Sequence, residues 1–187
     1  MAAPIFTVAN QLTLLRMALT PVLVVLVISK EPIWAFVVFL VAGITDLLDG
    51  YIARHGHQRT KLGAMLDPVA DKLMLGSSFV CLTWTSDLYL RIPVWLTIIT
   101  LSRDVIIVAS VAVVNLTLGH RVFQPSLLGK LCTASQVFTA GLVLFINCLS
   151  EAPREVSYIF VITAALTVAS ALHYVYTAST RAPEVAS

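Results

Sequence analysis

The stretch Asp46–Lys72, DLLDGYIARHGHQRTKLGAMLDPVADK, sets four aspartates among basic residues, between an uncharged run at 33–44 and another beginning at Leu73. The flanking runs set the scale. Of the 187 residues, 58% are hydrophobic and 12% charged, against about 25% charged in a typical soluble domain. Apolar stretches approaching the ~20 residues that cross a bilayer recur along the chain. Helices close their backbone hydrogen bonds within one segment, as lipid requires. An all-α, polytopic membrane protein with six transmembrane helices is therefore expected. The spans fall roughly at Leu12–Ser29, Ile33–Ile52, Leu66–Thr85, Val94–Leu118, Leu127–Leu149 and Val156–Ala178.

One membrane domain over residues 1–187 is expected, with no internal repeat and no low-complexity segment. Residues 1–11 lack a basic n-region, so a cleaved signal peptide is not expected, and residues about 4–12 read as a short helix lying in the interface. Lys and Arg placement orients the chain. Arg16, Arg54, Arg59, Lys61, Arg121, Lys130 and Arg181 fall on one side, and Lys30, Arg91 and Arg154 on the other. Both termini and the aspartate stretch are thus assigned to the cytoplasmic side, in what reads as a bacterial inner membrane. The net charge of +2 comes without a basic–aromatic stripe, so nucleic acid is not an expected partner. Cys81, Cys132 and Cys148 are scattered in apolar segments with no CxxC spacing. That excludes a disulfide framework or zinc site.

The aspartates come in two pairs. Asp46 and Asp49 are three apart and share one helix face. Asp67 and Asp71 are four apart and share a face if their helix is continuous; alternatively Pro68 starts the helix, with Asp67 as its N-cap. The intervening loop lets the two helices run antiparallel, so the pairs can face each other. Four clustered carboxylates repel unless positive charge lies between them. Oxygen-only ligands suit hard ions, which points to two Mg²⁺, with Mn²⁺ as the alternative. Two such ions ~3.5–4 Å apart form a clamp for displacement at phosphorus. Gly50 permits close approach of a ligand or helix, Ala53 continues that small surface, and Gly63 repeats it before the second pair. Arg54 supplies a cation suited to phosphate.

Taken together, Asp46-x2-Asp49-Gly50-x2-Ala53-Arg54-x8-Gly63-x3-Asp67-x3-Asp71 resembles the signature of the CDP-alcohol phosphotransferases, with every position filled. The resemblance implies a six-helix membrane enzyme, commonly a homodimer, that binds two divalent ions through the signature aspartates. It implies transfer of a phosphatidyl or similar group from a CDP-linked donor such as CDP-diacylglycerol to an alcohol, with release of CMP. Carried over by position, Asp46, Asp49, Asp67 and Asp71 would hold metal. Asp71 would also be the base for the acceptor hydroxyl. Gly50, Ala53, Arg54 and Gly63 would meet the CDP donor. A small ion or proton transporter is the competing class, but it does not require Gly50, Ala53 and Arg54 at these offsets.

The acceptor is read elsewhere. Arg103 lies within the fourth apolar segment and Lys130 opens the fifth. Intramembrane charges are paired or functional, so Arg103 is either the partner of Asp104 or, with Lys130, a binder of an anionic acceptor. LDPVADK and the run Gly129-Lys130-x2-Thr133-x2-Gln136 resemble the branch that makes phosphatidylglycerophosphate from sn-glycerol 3-phosphate. The SRD at 102–104 resembles cardiolipin synthases, whose acceptor is phosphatidylglycerol. Glycerol 3-phosphate is the preferred expectation.

Overall fold

The computed structural model describes residues 8–55, 61–118, 127–149 and 156–180. Among them it contains six α-helices: α1 Val8–Ile28, α2 Pro32–His55, α3 Lys61–Trp84, α4 Val94–Leu118, α5 Leu127–Leu149 and α6 Ser157–Thr180. The all-helical expectation holds. Three helices are long and apolar enough to cross a membrane among the described residues: α1 over Gln11–Ile28, α5 over Leu127–Leu149 and α6 over Ser157–Thr177.

Two boundaries differ from the hydropathy reading. The expected spans leave a loop over 53–65 between the two aspartate pairs, yet α2 continues through Arg54 to His55 and α3 already begins at Lys61. Hydropathy locates the apolar span, whereas helix ends follow backbone hydrogen bonding, which continues past the lipid edge. Asp67 and Pro68 consequently lie inside α3 rather than at its start. The four-residue spacing of Asp67 and Asp71 runs along one helix. At the other end of the chain's first span, α1 is unbroken from Val8. The part of the expected interfacial helix before Val8 lies outside the described residues.

Two compact units make up the chain, Met1–Arg91 with Ala140–Ala152, and Ile92–Thr139 with Pro153–Ser187. In the first, α1 packs on both α2 and α3; in the second, α4 packs on α6. Large apolar side chains cover much of the outer surface, and polar side chains share the interior with apolar ones. Val25, Ile33, Trp34, Val105, Phe138 and Leu172 are exposed, while Arg16, Ser78, Gln136, Thr139, Asn147 and Thr167 are buried. Lipid tails solvate leucine as well as a protein core does, so helix contacts in a bilayer rely on small and hydrogen-bonding residues instead. Hydroxyls on the inner faces close onto their own helices. Ser78 Oγ donates to the Met74 carbonyl at 2.7 Å and Thr83 Oγ1 to that of Phe79 at 2.7 Å.

The α1–α2 connection is set by a Schellman cap. Glu31 N donates to Leu26 O at 3.0 Å and Lys30 N to Val27 O at 3.2 Å, with Lys30 at φ 61°. The Lys30 ammonium reaches Asp87 Oδ2 at 2.7 Å, and Asp87 is itself left-handed at φ 68°. That hydrogen bond and the ammonium charge hold the Asp87 carboxyl below its ordinary value. Asn147 on α5 reinforces the same unit, donating to Leu90 O at 2.9 Å and accepting from Leu90 N at 3.3 Å. The connection between α3 and α4 is thereby tied to α5.

Candidate active site

Among the described side chains of α1 the buried ones are Thr13, Arg16, Thr20, Leu23 and Val27. The alternating three- and four-residue steps make one stripe, turned towards α2 and α3. Its second half is apolar, but its first half is polar and carries a guanidinium. Arg16 is 1% exposed. On α2 the buried stripe Ala35, Phe39, Ala42 leads at the same spacing to Thr45 and then Asp46. On α3 the stripe Ala70, Met74, Ser78, Leu82 begins beside Asp71. Three helices therefore bring three charges to one level of the first unit.

The charges meet. Arg16 Nη2 lies 2.8 Å from Asp46 Oδ1, and Arg16 Nη1 donates to Asp71 Oδ1. The two carboxylates are 47% and 41% exposed at the side chain. One buried fork thus joins two half-open carboxylates from different helices. A buried guanidinium without carboxylates would be strongly destabilising, and both carboxylates help compensate it. Thr20 Oγ1 donates to the Arg16 carbonyl at 3.0 Å, directly before Pro21, which has no N–H for the backbone ladder of α1.

Of the sequence-derived site, the structure brings Asp46 and Asp71 together. The side chains of Asp49, Gly50, Ala53, Arg54, Gly63 and Asp67 lie outside the described residues. Among the described residues no group of three or more His, Cys, Asp or Glu side chains forms a metal cage. Asp46 and Asp71 nonetheless offer oxygen-only donors around a place that already accommodates positive charge, which suits a hard divalent ion. Sequence reasoning missed Arg16, counting it only for orientation. Its position three residues from Thr13 and four from Thr20, on the inner stripe, was the available signal.

Arg103 and Lys130 belong to the second unit. Arg103 is 8% exposed and already engaged: Nη1 meets Asp104 Oδ1 at 2.8 Å and Nη2 donates to Ser170 Oγ on α6 at 2.9 Å. Its Nε is buried without a hydrogen-bond partner among the described residues. Lys130 is exposed. Gln136, from the same sequence run, is buried against α6, with Nε2 3.4 Å from Thr167 Oγ1 and 3.3 Å from Cys132 Sγ. Thr139 and Thr163 share a hydroxyl contact of 2.8 Å one turn along. Cys132 is buried and all three cysteines are free thiols.

The sequence profile of the CDP-alcohol phosphatidyltransferases matches residues 6–175, nearly the whole chain. The chain belongs to this family. Among its relatives, a probable phosphatidylglycerophosphate synthase of Mycobacterium tuberculosis is 36% identical over 182 residues, 92% of this chain and 82% of that protein. The human cardiolipin synthase (CMP-forming) is 47% identical over 107 residues, 57% of this chain. A CDP-diacylglycerol–glycerol-3-phosphate 3-phosphatidyltransferase of Haemophilus influenzae is 39% identical over 110 residues, 56% of this chain and 57% of that protein. The match spans only 34% of the human protein's length. In family terms, the Arg16–Asp46–Asp71 cluster contains the first and last aspartates of the family signature.

Proposed function

We propose that the protein is a metal-dependent phosphatidyltransferase that moves the phosphatidyl group of CDP-diacylglycerol to sn-glycerol 3-phosphate, releasing CMP and forming phosphatidylglycerophosphate. The observation that carries the reading is the convergence of Asp46 and Asp71, from α2 and α3, on a single cation. Bound divalent ions, Mg²⁺ or Mn²⁺ held by Asp46, Asp49, Asp67 and Asp71, would neutralise the donor's diphosphate. The acceptor hydroxyl oxygen forms a new bond to the phosphorus that bears diacylglycerol. The bond from that phosphorus to the bridging oxygen breaks, and CMP leaves with the electron pair. Asp71 takes the hydroxyl proton. Gly50, Ala53, Arg54 and Gly63 receive the CDP moiety, and Arg103 with Lys130 receives the acceptor's anionic group. The enzyme works as six membrane-spanning helices, as a homodimer, with its site facing the cytoplasm of a bacterial inner membrane. The exposed apolar faces support the membrane setting, and the Lys/Arg asymmetry supports the orientation.

A second reading takes phosphatidylglycerol as acceptor and cardiolipin as product. Two observations favour it: the 47% identity to the human cardiolipin synthase over 107 residues, and the neutralisation of Arg103 by Asp104, which leaves less charge for a phosphate monoester. One assay separates the two. Purified protein receives CDP-diacylglycerol, Mg²⁺, labelled glycerol 3-phosphate and phosphatidylglycerol together, and the lipid products are resolved. Phosphatidylglycerophosphate is expected. Cardiolipin would establish the second reading, and no CMP release with either acceptor refutes both. Asp71→Asn should lower turnover by about 10²–10⁴-fold in a folded protein.

A further inference from the structure

We propose that Arg16 is the resident counter-cation of the aspartate cluster, holding Asp46 and Asp71 in position when no divalent ion is bound and giving up its hold on Asp46 as ions bind while it keeps Asp71 in place. The inference deepens the metal-dependent reading above and rests on it only for the second half of that statement. The first half follows from geometry. Arg16 is almost wholly buried on the inner stripe of α1, and its two terminal nitrogens face carboxylates from two other helices. Four aspartates crowd the ends of α2 and α3 in the sequence. Without a cation their mutual repulsion would push the ends of α2 and α3 apart, since like charges at close range repel. A fork that takes one oxygen from each carboxylate supplies the missing charge and fixes their spacing at once. Lysine, a point charge, supplies the charge without the fork.

The guanidinium and a divalent ion compete for the same oxygens, since the oxygens that Arg16 holds, Asp46 Oδ1 and Asp71 Oδ1, belong to expected metal ligands. Arg16 is therefore a positioning residue with two opposed effects. It lowers metal affinity by its charge, and it raises turnover by presenting Asp71 at a defined place. A residue that merely supports the fold would lower both affinity and turnover or change neither.

The test uses the full chain in lipid nanodiscs, as wild type, Arg16→Gln, Arg16→Lys, and Asp46→Asn in the wild-type and Arg16→Gln backgrounds. Thermal unfolding is followed in EDTA and in excess Mn²⁺, Mn²⁺ binding by the paramagnetic signal of the free ion, and turnover as a function of Mn²⁺. In EDTA, Arg16→Gln should unfold at lower temperature than wild type, and Mn²⁺ should restore most of the difference. Asp46→Asn should destabilise wild type but stabilise Arg16→Gln, because in the second case it removes an uncompensated charge. Arg16→Gln should bind Mn²⁺ about tenfold more tightly, as loss of a nearby positive charge requires, while its maximal turnover falls. Arg16→Lys should return the Mn²⁺ dependence towards wild type with only partial recovery of turnover.

The same sign for Asp46→Asn in both backgrounds, or weaker Mn²⁺ binding in Arg16→Gln, overturns the proposal. If Arg16→Gln fails to fold, the Arg16→Gln/Asp46→Asn double variant should recover folding, and its failure to do so also overturns it. Absence of Mn²⁺ binding by wild type would sink the metal-dependent reading instead, while the sign reversal in EDTA would still decide the structural half of the role of Arg16.

Discussion

Arg103 offers the sharpest quantitative test of the second unit. Its guanidinium is buried, with Asp104 Oδ1 at 2.8 Å and Ser170 Oγ at 2.9 Å. Ser170→Ala deletes the acceptor for Nη2 and replaces it with a methyl group, leaving a buried charged donor short of a partner. Hydrogen bonds to charged groups contribute about 1.5–3 kcal/mol, so a loss of about 2 kcal/mol is expected. For a chain of this size each kcal/mol shifts the melting point by about 2–4 °C, giving a fall of about 4–8 °C. Arg103→Met goes further, because it takes the guanidinium from the 20%-exposed Asp104. Breaking a buried pair costs about 3–5 kcal/mol, and partial exposure of Asp104 places the expectation near 3. The Arg103→Met/Asp104→Asn double variant should recover part of that loss. Thermal unfolding in nanodiscs supplies the stabilities, and acceptor titration supplies the function. Ser170→Ala should raise the KM for the acceptor and leave that for CDP-diacylglycerol unchanged. A melting point for Ser170→Ala within 1 °C of wild type, on the scale of about 2–4 °C per kcal/mol, would refute the claim that α4 is anchored to α6 through this bond.

Two further outcomes follow from the first unit. A Cβ on Gly141 would sit 3.3 Å from Phe39 Cε1, close enough that the ring must move by a few tenths of an ångström. Gly141→Ala should fall within about 1 kcal/mol of wild type, because helix propensity offsets the crowding. Gly141→Leu should lose about 1–3 kcal/mol through overpacking, and equal thermal stability of Gly141→Leu and wild type would contradict the close approach of α2 and α5. The Asp87 carboxyl is held below its ordinary value by Lys30. Its contribution is therefore present above the unfolded value, about pH 4, and lost as pH falls through the lower folded value. Asp87→Asn keeps a residue tolerant of the left-handed backbone. The melting-point difference between wild type and this variant should shrink as the pH is lowered below about 4, and a difference independent of pH would remove the ion pair from the account.

Local pattern alone determined a good deal of this protein. The apolar runs located six helices, and α4 and α5 begin and end at the residues the runs indicate. The spacing of Asp46, Asp49, Asp67 and Asp71, with Gly50, Ala53 and Arg54 between, identified the family, because a signature borne on two adjacent helix ends is compact in sequence. What that pattern could not decide was partnership over distance. Arg16 lies 55 residues from Asp71, and Arg103 lies 67 residues from Ser170. Nothing in the chain between them marks the pairing. Burying a guanidinium in an apolar setting requires compensating carboxylates or hydroxyls, but which ones depends on the stripes that helix packing turns inward. The tertiary structure alone made Arg16 part of the aspartate cluster and gave Arg103 its partner on α6.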